Sequence, residues 1–93
     1  MPRTDIALPC TLSRRSGSAI AAETVNLGPG GMRVKSPRPL TLDEVLTFDL
    51  PLQDSRLDGR ARVLRQEGVR AYALRFENLG EPAREQLLRL AGA

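Results

Sequence analysis

The chain has 93 residues, enough for a single small domain with one core, and its composition of 41% hydrophobic and 27% charged residues is that of a folded domain and not of a disordered tail. The net charge is +3, and arginine supplies nearly all of the basic residues. There is no histidine, the one cysteine is Cys10, and aromatics make up 3%, which excludes a disulfide framework, an internal zinc site and an aromatic platform for stacking single-stranded nucleic acid.

From Asp5 to Leu12 the apolar residues Ile6, Leu8, Cys10 and Leu12 alternate, which predicts a strand, with Pro9 turned outward and the strand near a sheet edge. Ser13 to Ser18 reads as a polar hairpin turn containing Arg14, Arg15 and Gly17. Ala19 to Leu27 follows as a second strand. The stretch Gly28-Pro29-Gly30-Gly31 is a glycine loop whose residues permit positive φ and leave backbone N–H groups open to a close ligand. Met32 and Val34 then alternate with Arg33 and Lys35 in a third strand, broken by Pro37 and Pro39.

Val45 to Leu50 resumes strand patterning, with Leu46, Phe48 and Leu50 on one side, and Pro51 ends it. Leu57 to Arg65 sets Ala61 and Val63 against Arg60 and Arg62; Gln66-Glu67-Gly68 then turns the chain into Val69 to Phe76, where Tyr72, Leu74 and Phe76 share a face. From Glu81 to Ala91 the period becomes helical, with Ala83, Leu87 and Leu90 in one stripe, Leu88 and Ala91 beside it, and Leu79 ahead of it as a hydrophobic staple. Six short strands and a terminal helix predict a mostly β fold, a small six-stranded antiparallel barrel with a C-terminal α-helix, occupying residues 1–93 as one domain.

Little in the sequence resembles catalytic machinery. No histidine is available as a base, Cys10 reads as a buried inert thiol, and the acids Asp43, Glu44, Asp49, Asp54 and Asp58 stand beside turns, so the chain is read as a non-enzyme that needs no cofactor. The glycine loop is followed by a strand and not by a helix, so it is no P-loop or Rossmann phosphate site. Basic residues are interleaved with acids along the chain, which argues against a nucleic-acid-binding tail, although Arg33, Lys35, Arg60 and Arg62 on outward strand faces are the phosphate contacts such a protein would use. No signal-peptide or membrane-spanning pattern is present, and the expected setting is cytoplasmic.

A strand ending in Asn-Leu, a glycine turn, "GMRV", a proline break, "LTFDLPL", "GRARVLR", "YALRFENL" and a Leu-rich helix together resemble a PilZ domain over nearly the whole chain. The most specific part is Asn26 to Val34, similar to the family's [D/N]-x-S-x-x-G motif. That resemblance implies cyclic di-GMP, a bacterial second messenger, as ligand, bound by this motif together with an Arg-x-x-x-Arg stretch before the first strand. Arginine forks suit phosphates and the guanine O6/N7 edge, and an Asn oxygen suits guanine donors. Carried over, Asn26 and Gly31 match, but Gly28 replaces the serine, and the arginine ahead of the first strand, Arg3, has Ala7 four residues on.

A charge-assisted hydrogen-bonding group contributes ~1.5–3 kcal/mol, so the loss of two or more arginine contacts raises a dissociation constant by ~10²–10⁴. The resemblance then implies a stand-alone regulatory or adaptor protein of cyclic di-GMP-linked signalling, in motility or surface behaviour, acting on a protein partner with weak or no ligand binding. The alternative is a direct receptor in which Asn26, Gly28 and Gly31 are joined by Arg3, Arg14 or Arg15.

Overall fold

In the computed structural model, residues 4–52 and 54–92 are described; Arg3 and the Ala91 side chain lie outside them. The strands are β1 (Thr4–Asp5), β2 (Pro9–Ser13), β3 (Ala19–Leu27), β4 (Gly31–Lys35), β5 (Val45–Pro51), β6 (Arg56–Gly68) and β7 (Ala71–Glu77), followed by the helix α1 (Glu81–Gly92). All pairings are antiparallel. The order β3-β2-β5-β6-β7-β4 closes on itself through β3 and β4, giving the six-stranded barrel, with β1 added beside the end of β3.

Period-two alternation builds the interior. Along β3 each buried residue alternates with an exposed one from Ala19 to Asn26, so Ile20, Ala22 and Thr24 face inward. Leu12, Met32, Val34, Leu46, Phe48, Leu50, Leu57, Val63 and Leu74 join them in one core. With so few rings, Phe48 and Phe76 form the one aromatic contact among the described residues, at 5.0 Å between centroids and tilted by 37°. Aliphatic side chains fill the rest.

Different segments stop the two ends of the barrel. At one end α1 inserts Leu87, fully buried, while Leu79 packs close over Gly59 and Phe48. Thr4 Oγ1 donates to the Leu90 carbonyl at 3.1 Å and Gln86 Nε2 donates to Ser55 Oγ at 2.8 Å, tying the helix to this end. At the other end the proline segment after β4 buries Leu40, which the alternation did not single out because it lies outside any strand.

The predicted first strand is broken. Between β1 and β2 the chain leaves the ladder at Ile6 to Leu8, and the Thr24 hydroxyl fills the gap: Oγ1 accepts from the Leu8 N–H at 2.9 Å and donates to the Ile6 carbonyl at 2.6 Å. The edge position expected of it holds for β1, which pairs with β3 alone, but not for the end of β2. β2 lies between β3 and β5, and Pro9 is accommodated because β5 pairs only with Thr11 to Ser13, beyond the reach of its missing donor. The expected turn at Gln66 to Gly68 also shifts: β6 continues through these residues and the chain reverses at Val69-Arg70, with Arg70 at φ 64°.

Thr24 is 1% exposed, so Thr24→Val keeps the shape but strands one donor and one acceptor. The expected loss is ~1–3 kcal/mol of unfolding free energy, measured as a lower denaturation midpoint at unchanged slope.

Candidate functional site

The Asn26–Gly31 stretch joins β3 to β4 at the end of the barrel covered by α1. A bulge precedes it: Thr24 pairs with Val34 and Asn26 with Arg33, leaving Val25 unmatched. Such an extra residue re-aims the strand, and Asn26 ends 8% exposed while Val25 beside it is outside. Gly28 N–H donates to the Gly31 carbonyl at 3.0 Å, and the Gly30 carbonyl accepts from Phe76 N–H at 3.0 Å. These groups serve the turn and its junction with β7.

The positive φ that these glycines permit is not used here; among the described residues Gly17 is the glycine with positive φ, in the β2–β3 hairpin. Gly31 is required for a different reason. A Cβ there would stand 2.2 Å from the Leu74 carbonyl oxygen and 3.2 Å from the Arg75 Cα, so only glycine lets β4 lie this close to β7.

Arg14 and Arg15 stand elsewhere. Ser13 pairs with Ala19 at the far end of β3, so the hairpin carrying these arginines is separated from Asn26 by most of that strand, roughly 23 Å at ~3.3 Å per residue. Arg14 is also occupied: Nε and Nη2 donate to Glu44 at 2.9 and 3.2 Å, and Nη2 donates to the Pro39 carbonyl at 2.6 Å. Partial burial opposes ionisation of Glu44, but the bonds from Arg14 and Thr41 outweigh it and hold its carboxyl below the usual range. A half-open groove of about 560 Å³ lies here, lined by Arg14, Arg15, Asp43, Glu44 and Arg60 among others, at the end opposite Asn26, Gly28 and Gly31. The structure therefore brings those three together and leaves Arg14 and Arg15 apart from them.

Two cations on neighbouring strands pair in register with this stretch, and the sequence did not connect them with it. Arg33 is the register partner of Asn26, and Arg75 is the register partner of Gly31. Arg33 is held by Glu67, which also accepts from Arg65 at 2.8 Å. Arg62 donates to Glu77 at 2.7 Å and to Asp43 at 3.2 Å. The bond from Arg33 lowers the Glu67 carboxyl pKa, and that from Arg62 lowers the Glu77 pKa and raises the arginine's own.

Cys10 is buried on β2, and desolvation, with Asp49 nearby, pushes its thiol up to about 12, so it offers no nucleophile at neutral pH. Among the described residues no cluster of His, Cys, Asp and Glu is placed to hold a metal, and no helix is long and apolar enough to cross a membrane.

The PilZ domain family model matches residues 1–93. The chain belongs to the PilZ family. Among solved structures it is similar to the PilZ domain of CeSA from a cellulose-synthesising bacterium, at 21% identity and a TM-score of 0.78, over 99% of this chain and 96% of that one. It is also similar to the Bacillus subtilis inhibitor of motility MotI/DgrA, at 20% identity and a TM-score of 0.81, covering 97% of this chain but 47% of the longer one. No curated protein matches it. At these identities the likeness is one of fold, and both neighbours share the barrel and helix described above.

Gly31→Ala is expected to push β4 from β7 and lower stability by about 1–3 kcal/mol, read by denaturation. Glu67 and Glu77 make a second prediction. Their folded pKa values lie below the ordinary 4.5, so their contribution is present above that value and is lost as pH falls through the folded values. The denaturation midpoint should fall on the acid side, below about pH 5. Glu77→Gln should flatten part of that fall.

Proposed function

We propose that this chain is a PilZ-type regulatory or adaptor protein of bacterial cyclic di-GMP-linked signalling, a cytoplasmic non-enzyme that acts on a protein partner in motility or surface behaviour and binds cyclic di-GMP weakly or not at all. The observation that carries this reading is the separation of the hairpin arginines from the motif. Arg14 and Arg15 are at the opposite end of the barrel from Asn26, and Arg14 is engaged with Glu44. Gly28 brings no hydroxyl, and Gly31 is accounted for by the close strand packing it permits. The naming of one structural neighbour as a motility inhibitor supports the choice of process.

The second reading is direct sensing. It is favoured by Arg33 opposite Asn26 and Arg75 opposite Gly31, two cations beside the motif on neighbouring strands. Calorimetric titration with cyclic di-GMP separates the two. The adaptor reading expects a dissociation constant no tighter than ~100 μM, the value reached when a micromolar receptor loses its arginine contacts. A low-micromolar constant that disappears in Asn26→Ala, with the variant still folded, would establish the receptor instead.

A further inference from the structure

Eight of the fourteen basic residues, which alternate with acids along the chain, are gathered by the fold onto one wall of the barrel. β2, β3 and β5, which are neighbours, contain no basic residue. β6, β7 and β4, also neighbours, contain Arg56, Arg60, Arg62, Arg65, Arg75, Arg33 and Lys35, and the turn between β6 and β7 adds Arg70. All of these are exposed or partly exposed. The acids on these three strands are Asp58, Glu67 and Glu77. Eight positive charges against three leave a net positive surface, whereas the opposite wall sets Glu23 and Asp49 on its strands against Arg14 and Arg15 in its β2–β3 turn.

Some of the wall's arginines are held in place by its own carboxylates: Glu67 holds Arg33 and Arg65, and Glu77 holds Arg62. One feature of this wall suits a protein better than a nucleic acid, its apolar element: Val69 is 91% exposed at the tip of the β6–β7 hairpin, and Leu64 is exposed on β6. A valine presented in this way gains from burial under protein and not from contact with phosphate. Arg60, Arg70 and Arg75 form no ion pair among the described residues, which leaves their guanidinium groups able to meet carboxylates from outside.

We infer that the outer wall formed by β6, β7 and β4, with Val69 at its tip, is the surface through which this chain docks onto an acidic face of a partner protein. The inference rests on the adaptor reading and specifies the surface and the partner's chemistry. Barrel closure pairs β4 and β7 on both sides, and β6 on both sides from Arg60 to Arg62, so over these stretches of the wall the partner is met by side chains and not by an added strand.

The experiment places the photo-crosslinking residue p-benzoylphenylalanine at Val69, or at Ala21 on the opposite wall, in the native host, and identifies the adducts by mass spectrometry. The expected result is a protein adduct from position 69 and not from 21, attached through a segment rich in Asp and Glu. Its yield should fall about tenfold or more in R60E/R75E and persist in R84E, a charge reversal on the exposed side of α1 and off the wall. Thermal melts of the purified variants establish that they fold. Protein adducts from position 21 alone would overturn this surface while leaving the adaptor reading intact. An adduct at 69 that is nucleic acid, or that is unaffected by R60E/R75E, would overturn the assignment of an acidic protein. Protein adducts from neither position would overturn both readings.

Discussion

The contact between the backbone at Gly31 and the carbonyl of Leu74 is the constraint from which the remaining architecture follows. β4 is only five residues long and must pair with β3 on one side and β7 on the other to close the barrel. It enters that position directly from a turn, with Gly28 and Gly31 joined across it and Gly30 already bonded to Phe76. Removing the Cβ at the first residue of β4 permits the approach, and closure then pairs the first barrel strand with the last through β3 and β4. The adjacent bulge at Val25 belongs to the same junction, since it sets how β3 meets its short partner.

Closure also explains how so small a chain, poor in aromatics, obtains a single core. Inward positions from six strands converge on one interior, and two segments outside the strands, Leu87 on the helix and Leu40 in the proline segment, stop its ends. The helix is therefore part of the core's wall, although most of its surface is in solvent. Leu88, which flanks the apolar stripe, is 44% exposed, whereas Leu87 on the stripe is fully buried.

What could be read from the sequence was local. Ala19 to Leu27 and the alternating faces of Val45 to Leu50 were legible because period-two burial leaves a direct imprint on residue type. The helix was legible from its change of period. The break at Ile6 to Leu8 was not, because Ile6 and Leu8 keep alternating while the missing ladder bonds are made by a threonine sixteen or more residues away. For the candidate site, Asn26, Gly28 and Gly31 were found by their motif, yet the reason for Gly31 lay in Leu74, forty-three positions further on. The charge pattern was the least legible of all. Arg33, Arg62 and Arg75 are distant in the chain and become neighbours only once β4, β6 and β7 lie side by side.

The alternation that builds the barrel has a further consequence for how this chain can change over time. Inward letters of each strand hold the fold, and outward letters, once strand pairing is complete, are nearly free of structural duty. Substituting Arg60 or Arg75 alters what the wall presents while Ala61 and Leu74 next to them stay untouched in the core. Fold and recognition are thus written on alternate residues of the same strands, and a lineage can exchange one binding partner for another by editing every second position without passing through an unfolded intermediate.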